Sequence, residues 1–304
     1  MSALGFDTSN YTTSVSVYSK DGYTNARKLL PVKEGERGLR QSDALFHHVK
    51  QLPEVIGLLN RQDDIKSVGV STRPRSVENS YMPVFLAGIS FGETAAKVLD
   101  VPLYKYSHQD GHIMAGIISS DSFELLDEEF MCVHLSGGTS EVFKARYNGY
   151  NFDTELVGGT LDISAGQVID RVGVSFGMKF PCGNELEKLA RTVDSFVKLP
   201  VCVKEGYFNL SGLETKAISY KTEDRAKIAK GVFYSIGETI GKALDHSCNK
   251  FGIKKVLVVG GVASNLQIRN ILKSNDKLEF YFATPELSAD NACGIAALAY
   301  KAWR

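Results

Sequence analysis

Three times along the chain an apolar run breaks into a turn of hydroxyl-bearing residues, twice with paired glycines, and this recurrence constrains the fold more than any other feature. In Met131 to Arg146, MCVHLSGGTSEVFKAR, the run ends at Leu135, Ser136-Gly137-Gly138-Thr139-Ser140 follows, and a second alternating run, Glu141 to Ala145, begins at once. This predicts a β-hairpin whose paired glycines turn with positive φ; taken alone it reads first as an ordinary hairpin turn, and its hydroxyls also suit an anion. Ala3 to Asp7 and Ser14 to Tyr18 flank a comparable turn, Thr8-Ser9-Asn10-Tyr11-Thr12-Thr13. That turn reads equally as a phosphate loop, with Asp7 facing a metal or water and Ser9 among the hydroxyls on phosphoryl oxygens, or as a solvated hairpin. The third unit is Lys255 to Val259, KVLVV, then Gly260-Gly261-Val262-Ala263-Ser264-Asn265 and a helix from Leu266 to Leu272. It has the strand, glycine loop and helix form that holds a nucleotide, but neither GxGxxG nor Walker A spacing, so it is neither a dinucleotide fingerprint nor a P-loop.

Length predicts two domains for 304 residues. Lys+Arg and Asp+Glu both number 35, so no global basic field points to nucleic acid or membrane, and any RNA contact rests on a local patch or a partner. No basic leader precedes a long apolar core and no run of about 18 apolar residues occurs, which predicts a cytoplasmic protein without a membrane segment. Cys132, Cys182, Cys202, Cys248 and Cys293 are scattered without a CxxC pair, so neither a disulfide framework nor a zinc ribbon is indicated.

Between these units, helical spacing covers Asp43 to Leu59 around Pro53, with His47 and His48 expected at the surface, and Ile65 to Ser71 reads as a buried strand. Arg73 and Arg75 flank a basic turn and are expected to be solvated. Pro83 to Leu99 is rich in small residues, as a helix packed closely on a sheet would be. Next, Ser107-His108-Gln109-Asp110-Gly111-His112 opens a helix on which His108 and His112, four apart, share a face and could present both imidazoles to one ion. Two histidines do not make a metal site, and a capped helix start is as good a reading until a third ligand is found; Asp290, at the start of the terminal helix, could be that ligand. Gly158 to Asp162 reads as a turn into a helix, Ile163 to Phe176, carrying Asp170, and Phe180 to Glu185 as a break before another helix. Tyr207 to Leu213 has a sequence that periodicity does not explain.

The order of these elements is that of the actin, sugar kinase and Hsp70 superfamily. It implies an α/β, two-lobed actin-like ATPase (ASKHA) fold with a nucleotide cleft between lobes. Residues 1–130 would form lobe one, completed by the C-terminal helix 286–304, and 131–285 lobe two with the nucleotide loops. More specifically, the chain resembles the tRNA N6-adenosine threonylcarbamoyltransferases, once named O-sialoglycoprotein endopeptidases. The resemblance lies in the HxxxH of His108 and His112, LSGGTSE from Leu135, GGTLDISAGQVIDR from Gly158, FPCGNELEKLA, NLSGLETKA, VVGGVASNLQIR and SADNA. It implies that His108, His112 and Asp290 hold iron or zinc. Leu135, Ser136, Gly137, Gly138, Thr139, Asp170, Gly183 and Asn265 would bind ATP, with or without magnesium, or threonylcarbamoyl-AMP, and Asp7 and Ser9 would be catalytic. The implied reaction is metal-assisted threonylcarbamoyl transfer to N6 of adenosine 37 in tRNA, with protein partners of that pathway. No Ser-His-Asp or Cys-His constellation supports peptidase chemistry.

The chain departs from the family pattern in the first loop, where Asn10, Tyr11 and Thr12 replace an acidic pair and its neighbour, and at Arg73 to Ser76, Ile163, Gln167 and Cys182. These departures leave open a diverged paralogue with another carbamoyl acceptor and a non-catalytic nucleotide-binding partner subunit.

Overall fold

The computed structural model describes residues 1–9, 11–31, 39–59, 64–77, 80–220, 224–289 and 291–304. Strands β1 (Ser2–Asp7), β2 (Thr12–Ser19) and β3 (Gly22–Leu29) come first, then α1 (Gln41–Gly57), β4 (Ile65–Arg73), α2 (Phe85–Leu99), β5 (Leu103–Ser107) and α3 (His108–Ser120). They are followed by β6 (Phe130–Leu135), β7 (Ser140–Tyr147), β8 (Phe152–Thr160), α4 (Ala165–Ser175), α5 (Gly183–Ala190), β9 (Cys202–Lys204) and β10 (Tyr207–Asn209). After α6 (Ser211–Ser219) and α7 (Arg225–Phe251) come β11 (Lys255–Val259), α8 (Leu266–Lys273), β12 (Glu279–Phe282), α9 (Pro285–Ser288) and α10 (Cys293–Trp303). Two compact units result: Met1–Phe123 with Tyr147–Asp153 and Glu286–Arg304, and Glu124–Arg146 with Thr154–Pro285.

The first unit is built on a sheet ordered β3-β2-β1-β4-β5, with β1 antiparallel to β2 and parallel to β4. Every residue of β1 is buried because helices cover both of its faces. Gly5 and Gly69 admit α10 on one face: a Cβ on Gly5 would lie 2.6 Å from Ala296 N, and one on Gly69 2.7 Å from Ile295 O. Phe6 and Val70 point the other way, and there Gly92 lets α2 sit directly on Val70. The small residues of α2 and α10 thus set how closely each helix approaches the sheet. His48, expected at the surface, is fully buried, since α1 lies over β2 and the Nδ1 of His48 shares a hydrogen bond of 2.9 Å with Thr13 Oγ1.

The sheet of the second unit runs β12-β11-β6-β7-β8-β10-β9. Its centre is the hairpin read from the sequence, β6 and β7, in register from Phe130↔Ala145 to Leu135↔Ser140, with β11 parallel to β6. Val133, Leu135, Val256 and Val258 pack with Val168 and Val172 of α4 and Phe233 and Ile236 of α7 in one core.

Two expectations about glycines are corrected. Gly137 and Gly138 do not adopt positive φ. Their turn is closed instead by the Ser136 side chain, whose Oγ accepts from the N–H groups of Gly138 and Thr139 at 3.3 and 3.0 Å. Gly158 and Gly159 lie within β8 rather than in a turn. Glycine is needed there because the Gly206 carbonyl backs directly onto Gly158 and Gly159 has φ +146°. All five cysteines are free, four of them buried, and burial pushes the Cys248 thiol up to about 12. Among the described residues no helix is long and apolar enough to cross a membrane.

Candidate functional site

In the first unit the site forms where β1 ends and α3 begins. Ser107 caps α3 with a reciprocal box: its hydroxyl accepts from Asp110 N, and the Asp110 carboxylate accepts from Ser107 N at 2.8 Å and from Ser107 Oγ at 2.6 Å. That box fixes the first turn, and with it the backbone of His108. Asp7, the last residue of β1 and 1% exposed, accepts from His108 Nδ1 at 2.7 Å with Oδ2 and from Ser9 N at 2.8 Å with Oδ1. His112 stands one turn further along, its ring 4.4 Å from that of His108 between centroids and tilted by 73°. Ser9 is buried and its Oγ has no hydrogen-bond partner among the described residues, an orphaned hydroxyl beside the Asp7 carboxylate.

The donor set suits a cation: two imidazoles on one helix face, one of them oriented by a carboxylate. Asp290 lies outside the described residues, and among the described residues no group of three or more His, Cys, Asp or Glu converges as a metal cluster. The chain just after it is firmly held. Asn291 donates to Leu287 O and Ala289 O and accepts from Cys293 N, while Ala292 N donates to Ser14 Oγ at 2.9 Å.

In the second unit the Ser136 to Ser140 turn rests on the N-terminus of α4. Ser164 Oγ donates to Gly137 O at 2.7 Å, Ala165 N donates to Ser140 Oγ at 2.8 Å, and a Cβ on Gly166 would meet Gly137 Cα at 2.5 Å. Gln167, a departure from the family pattern, completes a capping box with Ser164, so the amide preserves the helix start. Asp170 sits in the second turn of α4 and accepts from Cys182 N at 2.7 Å, which draws it beside Gly183 at the start of α5. Burial pushes its carboxyl up from 3.8, and the Cys182 N–H pulls it partly back. Asn265 caps α8 by accepting from Ile268 N, and the adjoining Leu266 N donates to Glu187 Oε1 of α5. Gly260 backs onto the Leu135 carbonyl with φ +97°, a position only glycine fills without strain. The loops around Leu135 to Thr139, Gly183 and Asn265 are therefore tied to one another within this unit, while His108 and His112 belong to the first.

Asp162, which the sequence places with Ser164 in capping positions of the helix that follows, has a further role that sequence reasoning did not find, while Ser164 is the cap. The Asp162 carboxylate accepts from Ile163 N, Leu210 N, Ser211 N and Ser211 Oγ at 2.6 to 3.1 Å, and so holds the start of α6, the NLSG segment that periodicity left unexplained. Partial burial pushes its carboxyl up, but the donors from Leu210, Ser211 and Ile163 outweigh that and hold it well below its ordinary 3.8. With the folded value below the unfolded one, its contribution to stability is complete above the ordinary aspartate range and is lost as the pH falls toward the folded value. Asp162→Asn should therefore melt below the wild type at about pH 7, and its melting temperature should fall less than the wild type's between about pH 7 and about pH 3. Thermal melts at the two pH values check this, and an equal fall in both proteins would contradict it.

Residues 43–297 match the family described as TsaD: tRNA N6-adenosine threonylcarbamoyltransferase. Proteins of that name from Sulfurihydrogenibium sp. and Thermus thermophilus are 28% and 30% identical over 100% of this chain, covering 91% and 93% of their own lengths. A ROK family glucokinase from Streptomyces griseus, solved with glucose and AMPPNP, superposes with a TM-score of 0.57 at 11% identity over 99% of this chain and 100% of its own. At that identity it shows the fold alone, the α/β actin-like ATPase fold. With the family match spanning most of its length and a relative 30% identical along all of it, this chain belongs to the TsaD family.

Proposed function

We propose that the chain transfers a threonylcarbamoyl group from threonylcarbamoyl-AMP to N6 of adenosine 37 in tRNA. The observation that carries this reading is the 2.7 Å bond from His108 Nδ1 to Asp7 beside His112, an oriented imidazole pair suited to a divalent ion. His108, His112 and Asp290 would hold iron or zinc, which when bound supplies Lewis-acid stabilisation of an anionic oxygen. Ser136 to Thr139 would cradle the phosphate of the donor, with Leu135, Asp170, Gly183 and Asn265 on the rest of the nucleotide, ATP included. In the transfer, the N6 lone pair forms a bond to the carbamoyl carbon and the C–O bond to phosphate breaks. AMP leaves with that electron pair, and the amine proton passes to water. The chain's own work is positioning and stabilisation of charge, with Asp7 and Ser9 bordering the reacting centre.

A chain of zero net charge would meet tRNA through a local basic patch or through partner subunits of the same pathway, in the cytoplasm. Transfer to tRNA and to free adenosine, compared at rising salt, tests the acceptor. Product on tRNA that declines with salt is expected. Equal, salt-insensitive transfer to adenosine would replace tRNA with a small-molecule acceptor, and no transfer despite ATP binding would leave a partner-subunit role.

The phosphate turn has its own test. Gly166→Ala pushes a methyl into Gly137 Cα and Ser136 O. About 1–3 kcal/mol of strain at the turn corresponds to a loss of roughly 5- to 150-fold in ATP affinity, read by calorimetry. Unchanged affinity would remove the turn from the nucleotide site.

A further inference from the structure

We propose that Asp7 is a positioning residue, which fixes His108 as the Nδ1–H tautomer and so presents Nε2 as the nitrogen for a divalent cation; this rests on the cation reading above. A carboxylate only accepts, so the hydrogen in the 2.7 Å bond to Asp7 Oδ2 resides on His108 Nδ1. In the neutral ring the lone pair is then on Nε2. The carboxylate cannot rotate away, because its other oxygen takes Ser9 N at 2.8 Å and the side chain is 1% exposed at the buried end of β1. The ring is held from two more sides, by His112 at 4.4 Å and by Phe85 at 6.4 Å between centroids. With both oxygens engaged and almost no surface, Asp7 is poorly placed to exchange protons with a substrate and well placed to orient its neighbour. The resulting order, carboxylate to imidazole to ion, is assembled across 101 positions of sequence.

The test uses the full chain stripped of metal and labelled with 15N. Long-range 1H–15N correlation reads the His108 tautomer, and zinc affinity is measured by competition with a chromogenic chelator for the wild type, Asp7→Ala, Asp7→Asn and His108→Ala. The expected results are Nδ1–H at His108 in the wild type and a 10- to 100-fold loss of zinc affinity in Asp7→Ala, roughly the effect of losing such an outer partner. Asp7→Asn, whose amide oxygen still accepts, should keep the tautomer and most of the affinity, a rescue that a general loss of packing would not give. His108 found as Nε2–H in the wild type would overturn the proposal. So would wild-type zinc affinity in Asp7→Ala alongside its loss in His108→Ala, and the cation reading would then survive. If the wild type binds neither zinc nor iron, the cation reading itself fails and the positioning role falls with it.

Discussion

His108→Ala is expected to lower the rate of transfer to tRNA by about a thousandfold or more. Removing one imidazole takes away a ligand for the ion, and several kcal/mol of charge stabilisation corresponds to roughly that factor. The substitution also strands Asp7, which among the described residues keeps the Ser9 N–H as its one donor. A buried carboxylate short of one partner costs about 1–3 kcal/mol, so some loss of stability should accompany the loss of rate. His108→Asn separates the two effects, because its amide can still donate toward Asp7. A variant folded like the wild type and equally slow assigns the loss to the missing ligand. Wild-type activity in either variant would remove His108 from the chemistry.

The second large effect is structural. Gly294→Ala should lower the melting temperature by on the order of 10 °C, from about 3 kcal/mol of overpacking. A Cβ on Gly294 would run into the Gly111 carbonyl and lie 2.8 Å from Ala115 N, so what it meets is the backbone of α3 and not the yielding end of a side chain. Gly111 lies between His108 and His112, and a Cβ there would in turn meet Ile295 Cδ1 at 3.0 Å. The close crossing of α3 and α10 therefore holds the helix that carries both imidazoles, and metal affinity should fall together with stability. A melting temperature within a few degrees of the wild type's would show that the crossing relaxes easily.

Much of this arrangement could be read in the sequence where its causes are local. The three strand-and-turn units, the Ser107 and Asp110 cap and the close-packing helix from Pro83 to Leu99 depend on residues near one another in the chain. What could not be read depends on distant partners. His48 was expected at the surface because adjacent helix positions face different ways, but its environment is set by Thr13, 35 positions earlier. The NLSG segment had no visible cause because its anchor, Asp162, is 48 positions from Leu210. Asp7 was legible as an acidic residue at a turn, whereas its imidazole partner lies 101 positions away. At Gly137 and Gly138 the glycines suggested positive φ, and the Ser136 hydroxyl provides the turn instead. Gln167, read as a departure from the family pattern, closes a capping box with Ser164 through its amide, so the start of α4 does not need an acid at that position.

The most direct test of the His108 and His112 centre is elemental analysis of the protein purified without chelator, beside His112→Ala. About one iron or zinc per chain in the wild type, lost in the variant while its fold persists, is the predicted result. A wild type without metal that also fails to take up added iron or zinc would contradict it.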